Sequence, residues 1–464
     1  MSLAVSSRLF PAEPRVRDLT RGIYALTAAL PIISPHGHVS PTLFIENRAF
    51  PDPVAMFIRD DHYVTRLMHA DGVSLDAFGF DDPNAGADPR DLWRMFCQRW
   101  HVFAGTASGY WLRSTLTDVL GIDRPISRET ADLLFDEISH ALSEPEMRPL
   151  ALLERFRIDV LATTDDPLDS LAEHCRLAED STITTVIRPT FRPDAYIDPA
   201  HPHWRTRVAA LLEEAGESGF DGYLRALAAQ RVRFVNAGAT SADFGVVSPD
   251  TTPLSATEAA SLFERARNGD ASAADATSFL AHMLFESARM SAVDGLVMTI
   301  HAGVLRNHHA PSFAAYGSDR GHDIPAPTTF AQGLRPLLDE FGTAPGFQLI
   351  LFTVDETTYS REIAPLAGFY PSVYIGAPWW FLDAPESAQR FRAATVETAG
   401  FYRGSGFVDD TRAFLSIPAR HDMARRVDAG FLARMVADER LSLDEAEAIA
   451  VDLTDAIPRR AFKL

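Results

Sequence analysis

Ala29-Leu30-Pro31-Ile32-Ile33-Ser34-Pro35-His36-Gly37-His38 is the stretch on which the fold turns. A short apolar run ends in two histidines one residue apart. In extended backbone, side chains at i and i+2 leave the same face. His36 and His38 therefore converge on one point just beyond the end of a strand. Two imidazoles on one face are half of a site for zinc or a similar divalent ion. The plain alternative is a Pro-rich surface turn with two solvated histidines, and the rest of the chain has to separate the two.

Runs like this one recur. Short β-branched apolar segments fall at 31–35, 158–163, 184–188, 232–236, 296–301, 347–352, 372–375 and 406–409. The stretches between them read as helices, for example 167–178 and 273–290. Strands alternating with helices imply parallel βαβ units. Eight such units in a chain of 464 residues predict an α/β fold of the (β/α)8 barrel type. A doubly wound open sheet is the alternative, but no Gly-x-Gly-x-x-Gly turn follows any of the runs. About 120 residues separate the first run from the second, too many for one connection. The expectation is a barrel built from 1–59 and 156–464, with a large, mainly helical insertion over 60–155 covering its mouth. A helical C-terminal extension follows, its last helices opened by Ser442 as N-cap before Asp444 and Glu445.

Composition narrows the function. With 46% hydrophobic and 23% charged residues the chain has the make-up of a soluble globular protein. A net charge of −20 argues against nucleic acid or an anionic membrane as partner. There is no apolar stretch of about 18 residues and no signal-like N-terminus, so the expected location is cytoplasmic. Met1-Ser2-Leu3 reads as an expression-vector remnant. Two cysteines, Cys97 and Cys175, give no disulfide framework. Lys463 is the sole lysine. As the last residue but one of the sequence, it is badly placed for Schiff-base chemistry or for bridging two metals.

In a barrel, functional groups gather just after the C-terminal ends of the strands. Here the runs lead into His36 and His38, Asp165-Asp166-Pro167, Arg188 and Arg192, Asp243, His301 with Arg306, Asp355-Glu356, Trp379-Trp380, and Asp410-Thr411-Arg412. Asp165-Asp166-Pro167 reads as a helix cap, and Trp379 as core. Asp410 and Arg412 again share a face, and a guanidinium beside a carboxylate keeps it ionised. The eighth strand of a closed barrel lies beside the first. Asp410 can thus join His36 and His38 at one ion, leaving an open position.

Together these segments resemble the uronate isomerases of the amidohydrolase superfamily. The likeness runs through Pro35-His36-Gly37-His38, Asp61-His62-Tyr63, Thr163-Thr164-Asp165-Asp166-Pro167, Phe191-Arg192-Pro193-Asp194, His301-Ala302-Gly303-Val304-Leu305-Arg306-Asn307, Trp379-Trp380-Phe381 and Asp410-Thr411-Arg412. One departure is Ser241-Ala242-Asp243-Phe244-Gly245, where relatives carry a Ser-Asp-His-Gly-like motif. The resemblance implies interconversion of D-glucuronate with D-fructuronate and of D-galacturonate with D-tagaturonate. It also implies one bound divalent metal, zinc, held by His36, His38 and Asp410. Its other site positions fall on Tyr63, Arg192, Asp243, His301, Arg306 and Arg412. Such a reaction moves a proton between C2 and C1 through an enediolate, which needs an acid/base pair and positive charge near both oxygens. Asp410 and Tyr63 are the candidates for the proton, with Arg412 and the metal supplying charge. Arg192, His301, Arg306, Asp243 and Trp380 are the candidate substrate-binding residues, with Arg192 or Arg306 clamping the sugar-acid carboxylate. The aromatic content of the insertion suits a homo-oligomer, such as a trimer. Two rivals remain: a metal-dependent hydrolase acting on an acidic small molecule, and a sugar-acid-binding protein without turnover.

Overall fold

A computed structural model of the chain describes residues 7–80 and 86–464; Met1-Ser2-Leu3 lie outside them. The strands are β1 (Ile32–Ser34), β2 (Ile158–Ala162), β3 (Val186–Arg188), β4 (Ser241–Val246), β5 (Val297–Ala302), β6 (Val304–Leu305), β7 (Ile324–Pro325), β8 (Leu349–Thr353) and β9 (Val373–Ile375). Two parallel sheets, β1-β2-β3 and β4-β5-β8-β9, make most of the ring, and β6-β7 is a small antiparallel hairpin outside it. The sheets are stitched together through Phe191, which bridges Asp165 on one side and Ala242 on the other. On the far side, Ser405 N–H donates to Ile375 C=O (2.8 Å) and His38 N–H to Thr411 C=O (3.0 Å). The barrel closes, with its first strand beside its last segment.

Two expected strands are corrected. Residues 232–236 end the helix Gly219–Asn236, and the fourth strand is β4. The Val-Arg-Phe-Val string is β-branched, but Arg231 and Phe234 are buried three residues apart on one helical face while Val232 and Val235 point to solvent. Residues 406–409 pass through the last barrel position as extended chain without strand pairing. The helix expected at 167–178 is Ala172–Glu179. Asp166 instead closes a turn, accepting from Leu168 N–H (2.9 Å), and Asp165 is buried rather than capping a helix.

Between β1 and β2 the chain forms helices that include Pro53–Phe57, His62–Ala70, Pro89–Gln98, Ala107–Ser114 and Ala131–Ser143. Their buried faces, such as Trp93, Phe96 and Ile138, share one core with Ile32, Ile158 and Leu161 of the barrel wall. A second core packs Phe220, Phe263 and Phe279 of the helices after β3 and β4 against Phe244, Met298 and Leu349. At the C-terminus, Ile417–Ala437, Leu443–Thr454 and Ala456–Phe462 are helices. Ser442 and Glu445 form a reciprocal capping box. Among the described residues no helix is long and apolar enough to cross a membrane.

Candidate active site

The C-terminal ends of the strands open into a cavity of about 1140 Å³. His36, His38, Tyr63, Arg192, His301, Trp380, Arg306, Asp410 and Arg412 all border it. At its floor, His38 Nε2 lies 2.8 Å and His36 Nε2 3.4 Å from Asp410 Oδ1. His301 stacks between His36 (ring centroids 4.7 Å apart) and Phe352 (4.2 Å). One donor atom each from His36, His301 and Asp410 lie within 4.8 Å of one another. Burial alone would raise the carboxyl of Asp410, but the adjacent imidazoles hold it well below the usual range. Asp410 sits at φ +41°, a left-handed conformation that Asp tolerates better than most residues.

Asp243 explains how the imidazoles are set. It is fully buried and does not reach the cavity, which corrects its expected place against the substrate. Its Oδ1 lies 2.6 Å from His301 Nδ1 and accepts from Thr299 Oγ1 at 2.6 Å. Its Oδ2 lies 3.0 Å from Arg192 Nη1 and 3.9 Å from His36 Nε2. A carboxylate at Nδ1 fixes the proton there and leaves Nε2 of His301 as a lone pair. That Nε2 is buried with no hydrogen-bond partner. The site therefore fits a divalent ion. Donors at 2.0–2.2 Å in tetrahedral array stand about 3.3 Å apart, which the His36–Asp410 spacing matches. The donors that converge are those of His36, His301 and Asp410, so His301 enters where the sequence pointed to His38, whose Nε2 stands 2.8 Å from Asp410 Oδ1.

The arginines divide into two kinds. Arg192 Nε pairs with Asp194 Oδ2 (2.9 Å) while Nη1 faces Asp243, so it is neutralised on both sides. Asp194 accepts in turn from Gly245 N–H (3.1 Å), and an added Cβ there would stand 2.6 Å from Arg192 Nη2 and 2.9 Å from Asp194 Oδ2, so any side chain would have to displace this pair. Arg306 and Arg412 stand at the rim. Arg306 lies over the Trp380 ring (4.7 Å) and pairs with Asp323 (3.1 Å) and Asp319 (3.4 Å). Arg412 pairs with Asp319 (2.8 Å), not with Asp410 as the i, i+2 spacing suggests, because the left-handed turn at Asp410 breaks the extended alternation. Trp379 is buried but also borders the cavity, packing edge-on to His301 at 4.7 Å.

The inserted helices supply the opposite wall. Asp61 caps His62–Ala70 and places His62 and Tyr63 over the cavity. Burial pushes the Tyr63 phenol far up, the nearby Arg420 offsetting only part of this, so it stays protonated. Burial drives His62 down to about 4, leaving it neutral. Arg420 is buried under this wall, with its guanidinium over the Trp111 ring (3.5 Å) and donating to Asp383 Oδ2 (2.6 Å) and Asp409 C=O (3.2 Å).

Sequence reasoning missed Asp194, Asp319 and Arg420. Asp194 stands at i+2 from Arg192, the same spacing that singled out His36 and His38. Asp319 lies in the glycine-bracketed Gly317-Ser318-Asp319-Arg320-Gly321. Arg420 carries no local signal, since it lies mid-helix and its partners are remote.

Known proteins resemble this chain along almost its whole length. A family profile described as glucuronate isomerase matches residues 16–456. Over 461 residues the chain is 47% identical to a uronate isomerase of Corynebacterium efficiens, covering 98% of each. With a uronate isomerase of Phenylobacterium zucineum it shares 49% over 462 residues, 98% of this chain and 96% of the relative. The fold superposes on a crystal structure of glucuronate isomerase from Caulobacter crescentus with a TM-score of 0.95 at 46% identity, covering 98% of this chain and 96% of that one. Matched over almost its whole length in sequence and in fold, the chain belongs to the uronate isomerase family, whose profile is described as glucuronate isomerase.

Proposed function

We infer that this enzyme interconverts an aldouronate with its ketouronate, taking D-glucuronate to D-fructuronate and D-galacturonate to D-tagaturonate. The observation that carries the reading is one cavity holding an ionised carboxylate, a protonated phenol and two rim arginines. In the open-chain sugar, Asp410 takes the C2 proton; the electron pair moves to C1–C2 and the C1 carbonyl becomes an enediolate. Both imidazoles address Oδ1 of Asp410, which suits Oδ2 to this proton. Return of a proton to C1 and loss of the C2 hydroxyl proton give the ketose. Tyr63, kept neutral by burial, serves as hydrogen-bond donor and proton source at the sugar oxygens. Arg306 and Arg412 clamp the carboxylate at the rim, and Trp380 walls the sugar chain.

A zinc ion bound by His36, His38, His301 and Asp410 would supply positive charge to the developing enediolate oxygen. The segment 60–155 is taken as a helical insertion over a barrel of 1–59 and 156–464, because His62 and Tyr63 reach the cavity from it. A homo-oligomer remains part of the proposal.

The test is isomerisation in deuterated water followed by proton NMR. Ketose formation with deuterium entering from solvent is expected. Absence of both ketose and deuterium exchange with D-glucuronate and with D-galacturonate would remove the reading, and release of a hydrolysis product from an acidic amide or lactone would replace it with the hydrolase.

A further inference from the structure

We propose that Asp319 is an internal stand-in for the substrate's carboxylate, occupying the anion position between Arg306 and Arg412 until a sugar acid displaces it. This deepens the functional reading above and rests on Arg306 and Arg412 being the carboxylate clamp.

The geometry carries it. Asp319 Oδ2 lies 2.8 Å from Arg412 Nη2 and Oδ1 lies 3.4 Å from Arg306 Nη1, so each oxygen meets a different guanidinium. That is the two-cation reception a sugar-acid carboxylate needs. Asp319, Arg306 and Arg412 all border the cavity that holds His36 and Asp410. Burial would raise the Asp319 carboxyl, yet Arg412 and Arg306 hold it well below its ordinary value, so it stays an anion and competes as one.

The other carboxylate on Arg306 has a different character. Asp323 is buried, and its Oδ1 also accepts from Asn307 N–H (2.7 Å). It is anchored to the backbone and orients Arg306 permanently. Asp319 sits between the helix Ala310–Tyr316 and β7, partly exposed, in a left-handed turn (φ +61°) with glycines two residues to either side. Among the described residues, the hydrogen bonds and ion pairs of its carboxylate are with these two guanidiniums alone. It is thus the partner that can leave. Arg412 has no other ion-pair partner among the described residues. A ligand that must evict a resident carboxylate binds with an affinity reduced by the fraction of time the site is free. A neutral sugar makes no such exchange, so Asp319 tempers the binding of anionic ligands and leaves that of neutral ones unaffected.

The experiment measures binding of D-gluconate, a sugar acid without an aldehyde, to the metal-loaded enzyme by calorimetry. Asp319→Asn and Asp319→Gly both tolerate the left-handed turn, so a fold defect in one does not decide the outcome. Each should bind gluconate about two- to fivefold more tightly than the parent, the effect of one partly exposed ion pair. Binding of neutral D-glucitol should not change. Gluconate binding that is unchanged or weaker in both variants overturns the proposal, as does an equal gain for glucitol. Arg412→Gln separates the two readings. If it fails to weaken gluconate binding, the clamp is wrong and the stand-in falls with it. If it weakens binding while both Asp319 variants match the parent, only the stand-in is wrong.

Discussion

Asp243 never touches the cavity, yet His301, His36 and Arg192 are all arranged around it. It is a positioning residue: its negative charge fixes the His301 tautomer and holds Arg192 in place at the cavity wall. Asp243→Asn keeps the shape but can present its amide nitrogen to His301 Nδ1, which would favour the wrong tautomer. Partners of this kind are worth 10- to 100-fold in metal affinity. The expected result is a weaker metal site by roughly that factor in a chelator competition, with the barrel still folded by circular dichroism. Parent-like metal affinity would place the ligands elsewhere. From sequence, Asp243 was visible as a charged residue near a strand end but not as a buried one. Its burial depends on His301 and Arg192, 58 and 51 residues away, and no local pattern carries that compensation. His36 and His38 were legible because i, i+2 geometry is local.

At the level of elements, six of the eight expected strands overlap strands of the barrel, and the exceptions have physical causes. β4 contains Ser241, Asp243 and Gly245, a poor strand composition tolerated because tertiary partners pair its charge and Arg192 fills the space beside Gly245. The end of β2 shows another arrangement hidden from sequence. Thr163 Oγ1 donates to Asp165 Oδ2 (2.6 Å) and lies 2.8 Å from Nε2 of His174, on the helix Ala172–Glu179. Burial raises Asp165 to about 7 and lowers His174 to about 4. The signs oppose. His174 contributes stability above the ordinary imidazole value of about 6.5, lost as the pH falls towards 4 because the unfolded chain takes the proton first. Asp165 contributes stability at acid pH, lost as the pH rises through about 7. In the parent the two slopes offset each other between pH 6.5 and 4.5. Relative to the parent, His174→Gln should gain about 2 kcal/mol on acidification across that window and Asp165→Asn should lose a similar amount. Urea midpoints of the three proteins at several pH values check this; parallel curves would refute it.

Across the whole molecule, the two ends of the barrel carry different work. The strands' C-terminal ends hold the cavity, and the other end is closed by the chain terminus. There Lys463 Nζ donates to Gly295 C=O (2.7 Å) and Gly346 C=O (2.6 Å), on the turns that enter β5 and β8. His301 stands near the exit of β5. The only lysine is thus separated from the reacting sugar by the length of a strand, and its amine is engaged by two carbonyls. An aldehyde substrate next to an amine would be free to form an imine, and an isomerase could in principle work through one. The enediolate route proposed above, with Asp410 and Tyr63 as its proton-handling groups, needs no such imine. Turnover of D-glucuronate in the presence of cyanoborohydride, which reduces imines selectively, should therefore leave activity intact and the mass of the Lys463 peptide unchanged. Progressive inactivation with a sugar adduct on Lys463 would show that the terminus leaves its barrel end and enters the chemistry.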